Sequence, residues 1–258
     1  MFLVEAIPHR MKIITFLSDF GAIDWFVAAV KGEILKVTPR ARIVDITHNI
    51  KPYDVRGAAF VLSSVFRNFP KGSIHLSVVD PGVGSERKPL IVQSHGHLFV
   101  GPDNGLFSRI YEKASKVYEI KMNARMSSTF HARDIFGPTA ARLAGGTSTQ
   151  MLGKRCKDYV CHETAQPRKK KNIFCGEIVY IDHFGNCVTN IPNSEEITKL
   201  RVLGRTVAIR NHYSAGSYKG LVGVKGSLGY YEIASYVGSA CQVLKAGIGV
   251  PIEGYAEP

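Results

Sequence analysis

Three aspartates lie where predicted strands of the first half of the sequence end. Asp80 directly follows one β-rich run, Asp19 follows another after a single serine, and Asp45 lies near the end of a third. In open parallel sheets, ligands bind at the carboxyl ends of the strands, where the loops converge. Aspartate is also common in turns because its side chain hydrogen-bonds the nearby backbone, so each residue alone has a structural explanation. Together on one sheet edge, the three carboxylates favour a binding site.

The motifs of several other chemistries do not occur in the sequence. Gly82 and Gly84 lack the third glycine and the following helix of a dinucleotide-binding fingerprint, and there is no Gly-Lys-Ser/Thr for a phosphate loop. There is also no Gly-x-Ser-x-Gly for a serine nucleophile. Phosphate-cradling nucleotide folds and serine hydrolases are therefore disfavoured.

The cysteines predict reduced thiols rather than a metal site or a disulfide framework. They are Cys156, Cys161, Cys175, Cys187 and Cys241. An odd number, with no secretory signal before them, is typical of a cytoplasmic protein. Four residues separate Cys156 from Cys161, and His162 follows, which resembles half of a zinc site. Because no second ligand pair at zinc-like spacing follows, we expect no metal.

The elements that position the aspartates alternate between strand and helix. The predicted strands cover residues 13–17, 43–46, 74–79 and 90–93, and the predicted helices cover 24–36, 55–69 and 135–144. A β-α-β-α-β order argues for an α/β domain with a mainly parallel sheet covered by helices.

The pattern changes after residue 164. Residues 165–172 are polar and basic with one proline, which predicts a linker or exposed loop. Beyond them, four short β-rich segments separated by Gly, Asn and Ser cover 175–182, 206–210, 220–224 and 230–233. No long helical pattern follows, so this half is predicted to be a small β-barrel or sandwich. The predicted division is an α/β domain over 12–164, a linker over 165–172 and a β domain over 173–258.

The composition limits the class of protein. The 258 residues include 33 Lys+Arg and 21 Asp+Glu, a formal net charge of +12, and 45% hydrophobic residues. This is a globular composition, and no apolar run approaches the roughly 18 residues of a membrane span. Residues 1–10 precede the first strand and are interpreted as a frayed extension or the result of an upstream start. The excess charge leaves nucleic-acid binding open.

Six short motifs follow one another along the chain. They begin at Ser18, Thr47, Val79, Gly101, Thr129 and Ile181 and read SDFG, THNI with Pro52 and Asp54, VDPGVG, GPDNG, TFHARDIF and IDHFGN through TNI. This ordered set resembles the S-adenosylmethionine (SAM) hydrolase, or hydroxide adenosyltransferase, family, which is related to fluorinase and chlorinase. The resemblance covers about residues 12–258. It implies a Rossmann-like α/β domain followed by an all-β barrel domain. It also implies a homotrimer whose active sites lie between the first domain of one subunit and the second domain of its neighbour.

The implied reaction is attack of water on the ribose C5′ of SAM, releasing adenosine and methionine without a cofactor. Water is a poor nucleophile, which must be held in line behind C5′ and must lose a proton. The residues that match the family's Asp–Arg–His set for this task are Asp80, Arg87 and His131. Without the resemblance, Arg87 reads as part of a surface pair with Lys88, and His131 as a half-buried histidine.

The resemblance also implies a set of substrate-binding residues. Asp19 matches the carboxylate that binds the ribose hydroxyls, and Tyr53 an aromatic position near the sugar. Phe184 and Asn186 match adenine contacts, and Asp182 resembles the residue that pairs with the methionine ammonium. Ser227 and Glu232 match a C-terminal substrate motif, although Gly226 before them stands where many relatives carry Asn, and a plain glycine-rich hairpin is the alternative.

Two alternatives to hydrolysis have some support in the sequence. A SAM-dependent halogenase is disfavoured because the fluorinase pattern has Tyr at the position of His131 and Ser at that of Ala132, and because the Asp80 carboxylate would repel a halide. A nucleic-acid-binding protein is suggested by the charge and by the basic run 168–171. We expect no nucleic-acid partner, since no aromatic residues alternate with that run to form a stacking platform.

Overall fold

The computed structural model describes residues 12–122 and 127–256. The interpretation of residues 1–10 therefore lies outside the described residues. The chain forms two compact units, Met1–Glu163 and Thr164–Pro258. None of the helices in the described ranges has both the length and the apolar character needed to cross a membrane.

The first unit is a seven-stranded sheet with helices on both faces. Its strands are β1 Ile13–Ser18, β2 Arg42–Thr47, β3 Ile74–Val78, β4 Pro89–Ser94, β5 His97–Pro102, β6 Lys116–Ile120 and β7 Gly153–Cys156. Its helices are α1 Phe26–Val37, α2 Val55–Val65, α3 Gly137–Ala144 and α4 Thr149–Leu152, with a 3-10 turn at Phe66–Asn68 and a π-helical turn at Ala132–Phe136.

The strand order β2-β1-β3-β5-β4-β6-β7 confirms the mainly parallel sheet. Strands β2, β1, β3 and β5 pair in parallel. Strand β4 runs against both β5 and β6, so β6 shares the direction of the first four, and β7 runs against β6. Because β1 and β3 are parallel neighbours, Asp19 and Asp80 leave the sheet at the same edge.

Consecutive side chains of β1 point to opposite faces of the sheet and so contribute to both layers of the core. Phe16 packs with α1 and α3, whereas Leu17 packs with α2, and neither side chain is exposed. Burial of a side chain of this size stabilises the fold by about 1.5–3 kcal/mol. The end of β1 is thus held firmly from both faces.

Two helices differ from their predicted bounds for local reasons. Asp54 caps α2 by accepting from the Gly57 amide at 2.8 Å, so the helix begins at Val55 as predicted, but it gives way to the 3-10 turn after Val65. The helix predicted over 135–144 begins only at Gly137, because a π-helical turn covers Ala132–Phe136 directly after His131. π-helical turns within helices are frequent at functional sites.

The second unit is an all-β barrel, as predicted. Its strands are β8 Arg168–Lys170, β9 Ile173–Ile181, β10 Cys187–Pro192, β11 Lys199–Val202, β12 Arg205–Arg210, β13 Leu221–Lys225, β14 Tyr230–Ser235 and β15 Pro251–Tyr255, with a 3-10 turn at Tyr213–Ala215 and one short helix, α5 Ala240–Leu244. Their order is β10-β14-β13-β12-β11-β15-β9-β8, and the pairing of β10 with β9 closes a seven-stranded barrel to which β8 is added.

The basic segment that was predicted to be a linker contains strand β8. Arg168–Lys170 pairs antiparallel with β9 through a tight turn in which Lys171 has a left-handed φ of 53°. All three residues of β8 are exposed. A strand without apolar residues shows no alternation in its sequence, which is why the pattern predicted a loop.

Candidate active site

A nearly buried ion pair between Asp80 and Arg87 lies at the carboxyl end of β3. Arg87 Nε donates to Oδ1 of Asp80 at 3.0 Å and to Oδ2 at 3.1 Å, and Nη2 donates to Oδ2 at 2.5 Å. The two side chains are 6% and 8% exposed. Charge-assisted hydrogen bonds to both oxygens of a carboxylate fix its orientation as well as its position.

His131 extends this pair into a cluster of three side chains. Nη2 of Arg87 lies 2.6 Å from Nδ1 of His131. Because a guanidinium only donates, Nδ1 must accept, and the proton of the neutral imidazole lies on Nε2. Burial, followed by the cation of Arg87, lowers the pKa of His131, which favours the neutral form. Nη1 of Arg87 is buried and has no hydrogen-bond partner among the described residues.

The turn that carries Arg87 is stabilised by its own backbone and by Ser85. Ser85 donates to the Gly82 carbonyl from both its amide, at 3.0 Å, and its hydroxyl, at 2.7 Å. The hydroxyl also accepts from the Arg87 amide at 3.3 Å. Gly84 has a φ of 81°, and a Cβ there would clash with the Ser128 carbonyl. The Gly-Val-Gly sequence therefore builds this turn rather than a phosphate site.

The Gly-Pro-Asp-Asn-Gly motif supports the same region from behind. Asn104 Nδ2 donates to the Val79 carbonyl at 2.8 Å, one residue before Asp80. The Asp103 amide donates to the Lys88 carbonyl at 2.9 Å. Both ends of the loop that holds the ion pair are thus tied to one motif.

Asp19 is held by the loop that leads into α2. Its Oδ2 accepts from the Tyr53 amide at 2.9 Å. Tyr53 has a left-handed φ of 69°, and its side chain is largely exposed. This bond fixes one oxygen of the carboxylate and leaves the other without a protein partner in its described surroundings.

Asp19, Tyr53 and Asp80 line one cavity of about 330 Å³ in the first unit. The sequence did not indicate its aromatic wall, which consists of Phe20, Phe26 and Phe130. Phe130 directly precedes His131 in one of the six motifs, and this position in the sequence could have indicated that Phe130 belongs to the site. Ala132, the other neighbour of His131, also lines the cavity. Three of the five predicted residues of the first unit thus line a pocket with two carboxylates and an aromatic face. Arg87 and His131 are not among its lining residues and are connected to it through Asp80.

In the second unit, Asp182 organises the loop between β9 and β10. Its Oδ1 accepts from the amides of Phe184 and Asn186, each at 2.9 Å, and its Oδ2 accepts from Asn186 Nδ2 at 2.8 Å. Gly185 permits the turn with a φ of 81°. The Phe184 ring is 74% exposed. An exposed aromatic ring beside fixed polar groups is suited to stacking on a planar ligand.

Asp182, Phe184 and Asn186 line a second cavity, of about 500 Å³. Its other lining residues are Tyr213, Ser235, Tyr236, Val237 and Gly238. The sequence indicated none of this second group, which comes from strand ends and loops without a motif. Ser235 Oγ is buried without a hydrogen-bond partner among the described residues. The cavity therefore offers an aromatic face beside the polar groups of Asp182 and Asn186.

Glu232 and Ser227 lie outside the lining of that cavity. Glu232 is buried in β14, and burial raises its pKa. The hydroxyl of Tyr213, a lining residue, donates to its Oε2 at 3.1 Å. Ser227 lies between β13 and β14. A Cβ at Gly226 would clash with the Glu232 carboxylate, which accounts for glycine at this position.

The described residues contain no group of three or more His, Cys, Asp or Glu side chains that could hold a metal ion. The Cys156, Cys161 and His162 sequence resembles half of a zinc site. There, Cys156 Sγ donates to the Asp158 carbonyl at 2.9 Å, and the His162 ring packs against Gly105. These contacts explain both residues as parts of the segment that covers the end of β5.

Comparison with known proteins gives the family. Residues 14–153 match the SAM hydroxide adenosyltransferase N-terminal domain, and residues 176–253 match the corresponding C-terminal domain. The (R)-S-adenosyl-L-methionine hydrolase of Thermus thermophilus is 33% identical, with 94% of this chain and 99% of that protein covered. The enzyme of that name from Salinispora tropica is 35% identical, with coverages of 77% and 80%. A fluorinase from Nocardia brasiliensis is 28% identical, with coverages of 95% and 97%.

Among solved structures, an uncharacterized conserved protein from Thermotoga maritima superimposes with a TM-score of 0.86 at 32% identity, covering 94% of this chain and 100% of that one. The mixed α/β fold of the first unit and the β-barrel of the second agree with the matches to both domains. This chain belongs to the SAM hydroxide adenosyltransferase family.

Proposed function

We propose that this protein hydrolyses S-adenosyl-L-methionine to adenosine and L-methionine by in-line attack of water on the ribose C5′. The observation that carries the proposal is the nearly buried Asp80–Arg87–His131 cluster, whose carboxylate lines a cavity together with Asp19. The similarity to enzymes named (R)-S-adenosyl-L-methionine hydrolase supplies the substrate.

The reaction requires no acid for the leaving group. A bond forms between the water oxygen and C5′ while the bond from C5′ to the sulfonium sulfur breaks, and its electron pair stays on sulfur as a neutral thioether. One water proton must leave. The protein therefore contributes mainly by orienting the water and accepting that proton.

The geometry supports a division of roles within the cluster. The Asp80 carboxylate has more acceptor sites than Arg87 uses, so it can take a hydrogen bond, and then the proton, from water. Nε2–H of His131 is a donor that no bond within the cluster uses, and it suits the oxygen of a developing hydroxide. Nδ1 of His131 is occupied by Arg87, so His131 acts as a donor rather than as the base.

Substrate binding divides between the two cavities. Asp19 has one carboxylate oxygen available for the ribose diol, and Tyr53 presents its ring beside it. In the second unit, Phe184 supplies a stacking face for adenine and Asn186 a polar edge, while the charge of Asp182 suits the methionine ammonium. Ser227 and Glu232 complete the proposed set.

A halogenase remains the second candidate because fluorinases are relatives at lower identity. A halide would have to approach the Asp80 carboxylate in place of water, and neighbouring anions repel each other. The carboxylate in the cavity therefore favours hydrolysis.

The test is incubation with SAM in ¹⁸O-labelled water, followed by mass spectrometry. We expect equal amounts of adenosine and methionine, with the label at the adenosine 5′ position, and the same rate in the presence of EDTA and without added halide. Asp80→Ala should lower kcat by about 10²–10⁴-fold. Unlabelled adenosine, a 5′-halo-5′-deoxyadenosine or equal turnover by Asp80→Ala would contradict the proposal.

The quaternary structure is also proposed to be a homotrimer, with each active site between the first domain of one subunit and the second domain of its neighbour. Two separate cavities, each with an exposed aromatic residue, support this arrangement. Three chains of 28.4 kDa should give about 85 kDa by light scattering. A monomeric mass together with full activity would contradict it.

A cytoplasmic location is proposed as well, and the five free cysteines favour it. The expectation of no nucleic-acid partner stays a prediction. Submicromolar affinity for DNA at physiological salt, with a steep salt dependence, would contradict it.

A further inference from the structure

A row of polar side chains connects α1 and β2 to the end of β1. Lys31 Nζ lies 2.6 Å from Asp45 Oδ2, and Asp45 Oδ1 lies 3.2 Å from His48 Nε2 without the alignment of a good hydrogen bond. His48 Nδ1 in turn lies 2.7 Å from the hydroxyl oxygen of Ser18. Ser18 is fully buried, so it has no access to a substrate.

The direction of the hydrogen bond between Ser18 and His48 follows from the neighbouring groups. Asp45 faces Nε2, which favours the tautomer that carries its proton there. Nδ1 then accepts from the Ser18 hydroxyl, and the same oxygen accepts from the Phe20 amide at 3.4 Å. Burial lowers the pKa of His48, which agrees with a neutral ring.

His48 holds the segment after β1 at two points. Its side chain binds Ser18, and its carbonyl accepts from the Gly21 amide at 2.7 Å. The two residues between these anchors, Asp19 and Phe20, both line the cavity of the first unit. One residue of the loop after β2 therefore fixes both ends of the segment that carries the Asp19 carboxylate.

We propose that His48 is a positioning residue that sets the orientation of Asp19 through its bond to Ser18. This inference rests on the proposed function, in which Asp19 binds the ribose hydroxyls. The expected consequence is on binding, because Asp19 contacts a part of the substrate that does not react and so contributes equally in the ground state and the transition state.

A second buried histidine provides a matched control. His75 lies in the same sheet, toward the amino ends of β1 and β3, where Nδ1 bonds Thr15 Oγ1 at 2.8 Å and Nε2 bonds His97 Nδ1 at 3.1 Å. Like His48, it packs edge to face on a phenylalanine, Phe66. None of its partners lines the cavity. The variant His75→Phe therefore measures how the loss of a buried histidine affects stability, without any effect on the cavity.

The experiment compares KM and kcat for SAM, the Kd for adenosine and the melting temperature in five variants: His48→Phe, His48→Asn, Ser18→Ala, the double variant His48→Phe/Ser18→Ala, and His75→Phe. His48→Phe keeps an aromatic ring on Phe16 but removes the acceptor. His48→Asn places an amide oxygen near the position of Nδ1. Ser18→Ala removes the donor without touching His48.

We expect His48→Phe and Ser18→Ala each to raise KM by roughly 3–10-fold, with a small change in kcat, which corresponds to the loss of one buried hydrogen bond. The double variant should be no worse than Ser18→Ala, which already removes the bond to His48 together with the long contact from the Phe20 amide. His48→Asn should return KM toward the wild-type value. His75→Phe should lower the melting temperature and leave KM unchanged.

Other outcomes overturn the inference. These are an unchanged KM in Ser18→Ala, additive effects in the double variant, or an equal rise of KM in His75→Phe. Ser18→Ala decides the question even if His48→Phe does not fold. If the wild-type protein fails to hydrolyse SAM, the proposed function fails, and the Kd for adenosine in the same variants still tests the role of His48.

Discussion

Nη2 of Arg87 bonds Nδ1 of His131, so the arginine that orients the Asp80 carboxylate also fixes the tautomer of the histidine. The consequence is that His131 presents N–H, not a lone pair, from its other ring nitrogen. The proposed base, Asp80, and the proposed donor, His131, thus lie on either side of one guanidinium, and the same residue types without this contact would not have separate roles.

The substitution His131→Asn tests the donor role. An asparagine amide oxygen can replace Nδ1 as the acceptor for Arg87, but nothing replaces Nε2–H. We expect kcat to fall by about 100-fold with little change in stability. Single-turnover adenosine release measures the rate, and urea unfolding measures the stability. Near wild-type kcat in this variant would show that His131 only anchors Arg87.

The substitution Arg87→Lys tests whether geometry or charge is required. Lysine keeps the cation but cannot bond both oxygens of Asp80 and His131 at once. We expect kcat to fall by at least about 100-fold, with KM changed less than threefold, because the cluster is proposed to contact the reacting water rather than the bound nucleoside. Arg109→Lys, which alters an arginine packed on the Phe60 ring outside the cluster, is the matched control. Retained activity in Arg87→Lys would mean that a point charge suffices.

The sequence predicted that Asp19 and Asp80 lie at the carboxyl ends of strands, because strand alternation and turn residues are local properties. It did not predict β10, β11 or β15, whose short runs resemble loops until their partners in the barrel are known. It also missed the structural tasks of His48 and Asn104. Each acts on a residue 25 or more positions away, so only the fold brings the partners together.

The substitution Asn104→Ala tests the support behind Asp80. It leaves the Val79 carbonyl without its side-chain donor, which should cost about 1–3 kcal/mol of the free energy of unfolding and lower kcat by about tenfold. Ser108→Ala is the control, since the Ser108 hydroxyl donates to the Gly105 carbonyl at 2.7 Å in the same loop without contacting the strand that leads to Asp80. Equal losses of kcat in the two variants would contradict a specific role for Asn104.

The stability of the protein should fall in mild acid because of His75. Burial, with a smaller effect of His97, lowers the pKa of His75 to about 3. Between this value and the ordinary pKa of about 6.5, the unfolded chain binds a proton that the folded protein refuses, so stability is full above pH 6.5 and decreases below it. His75 alone should account for about 2 kcal/mol between pH 8 and pH 5.

Urea unfolding at pH 8 and pH 5 measures this loss, and His75→Phe should reduce it by about the same amount. The lowered pKa values of His48, His97 and His131 act in the same direction, so part of the acid sensitivity remains in the variant. An unchanged pH dependence in His75→Phe would show that the buried imidazole already takes up its proton in the folded state.

The substitution Asp182→Asn separates the two tasks of Asp182. Asparagine retains an oxygen that can accept from the Phe184 and Asn186 amides, so the loop with its aromatic ring should keep its shape. It removes the negative charge proposed to pair with the methionine ammonium. It also replaces the Oδ2 acceptor of Asn186 Nδ2 by a donor, and the Asn186 amide can restore that hydrogen bond by turning its oxygen toward the new donor. We expect KM for SAM to rise about tenfold while the Kd for adenosine, which lacks that ammonium, changes less than twofold. Isothermal titration with adenosine and initial-rate measurements with SAM give the two values. A parallel loss of both affinities would instead assign Asp182 to the shape of the loop alone.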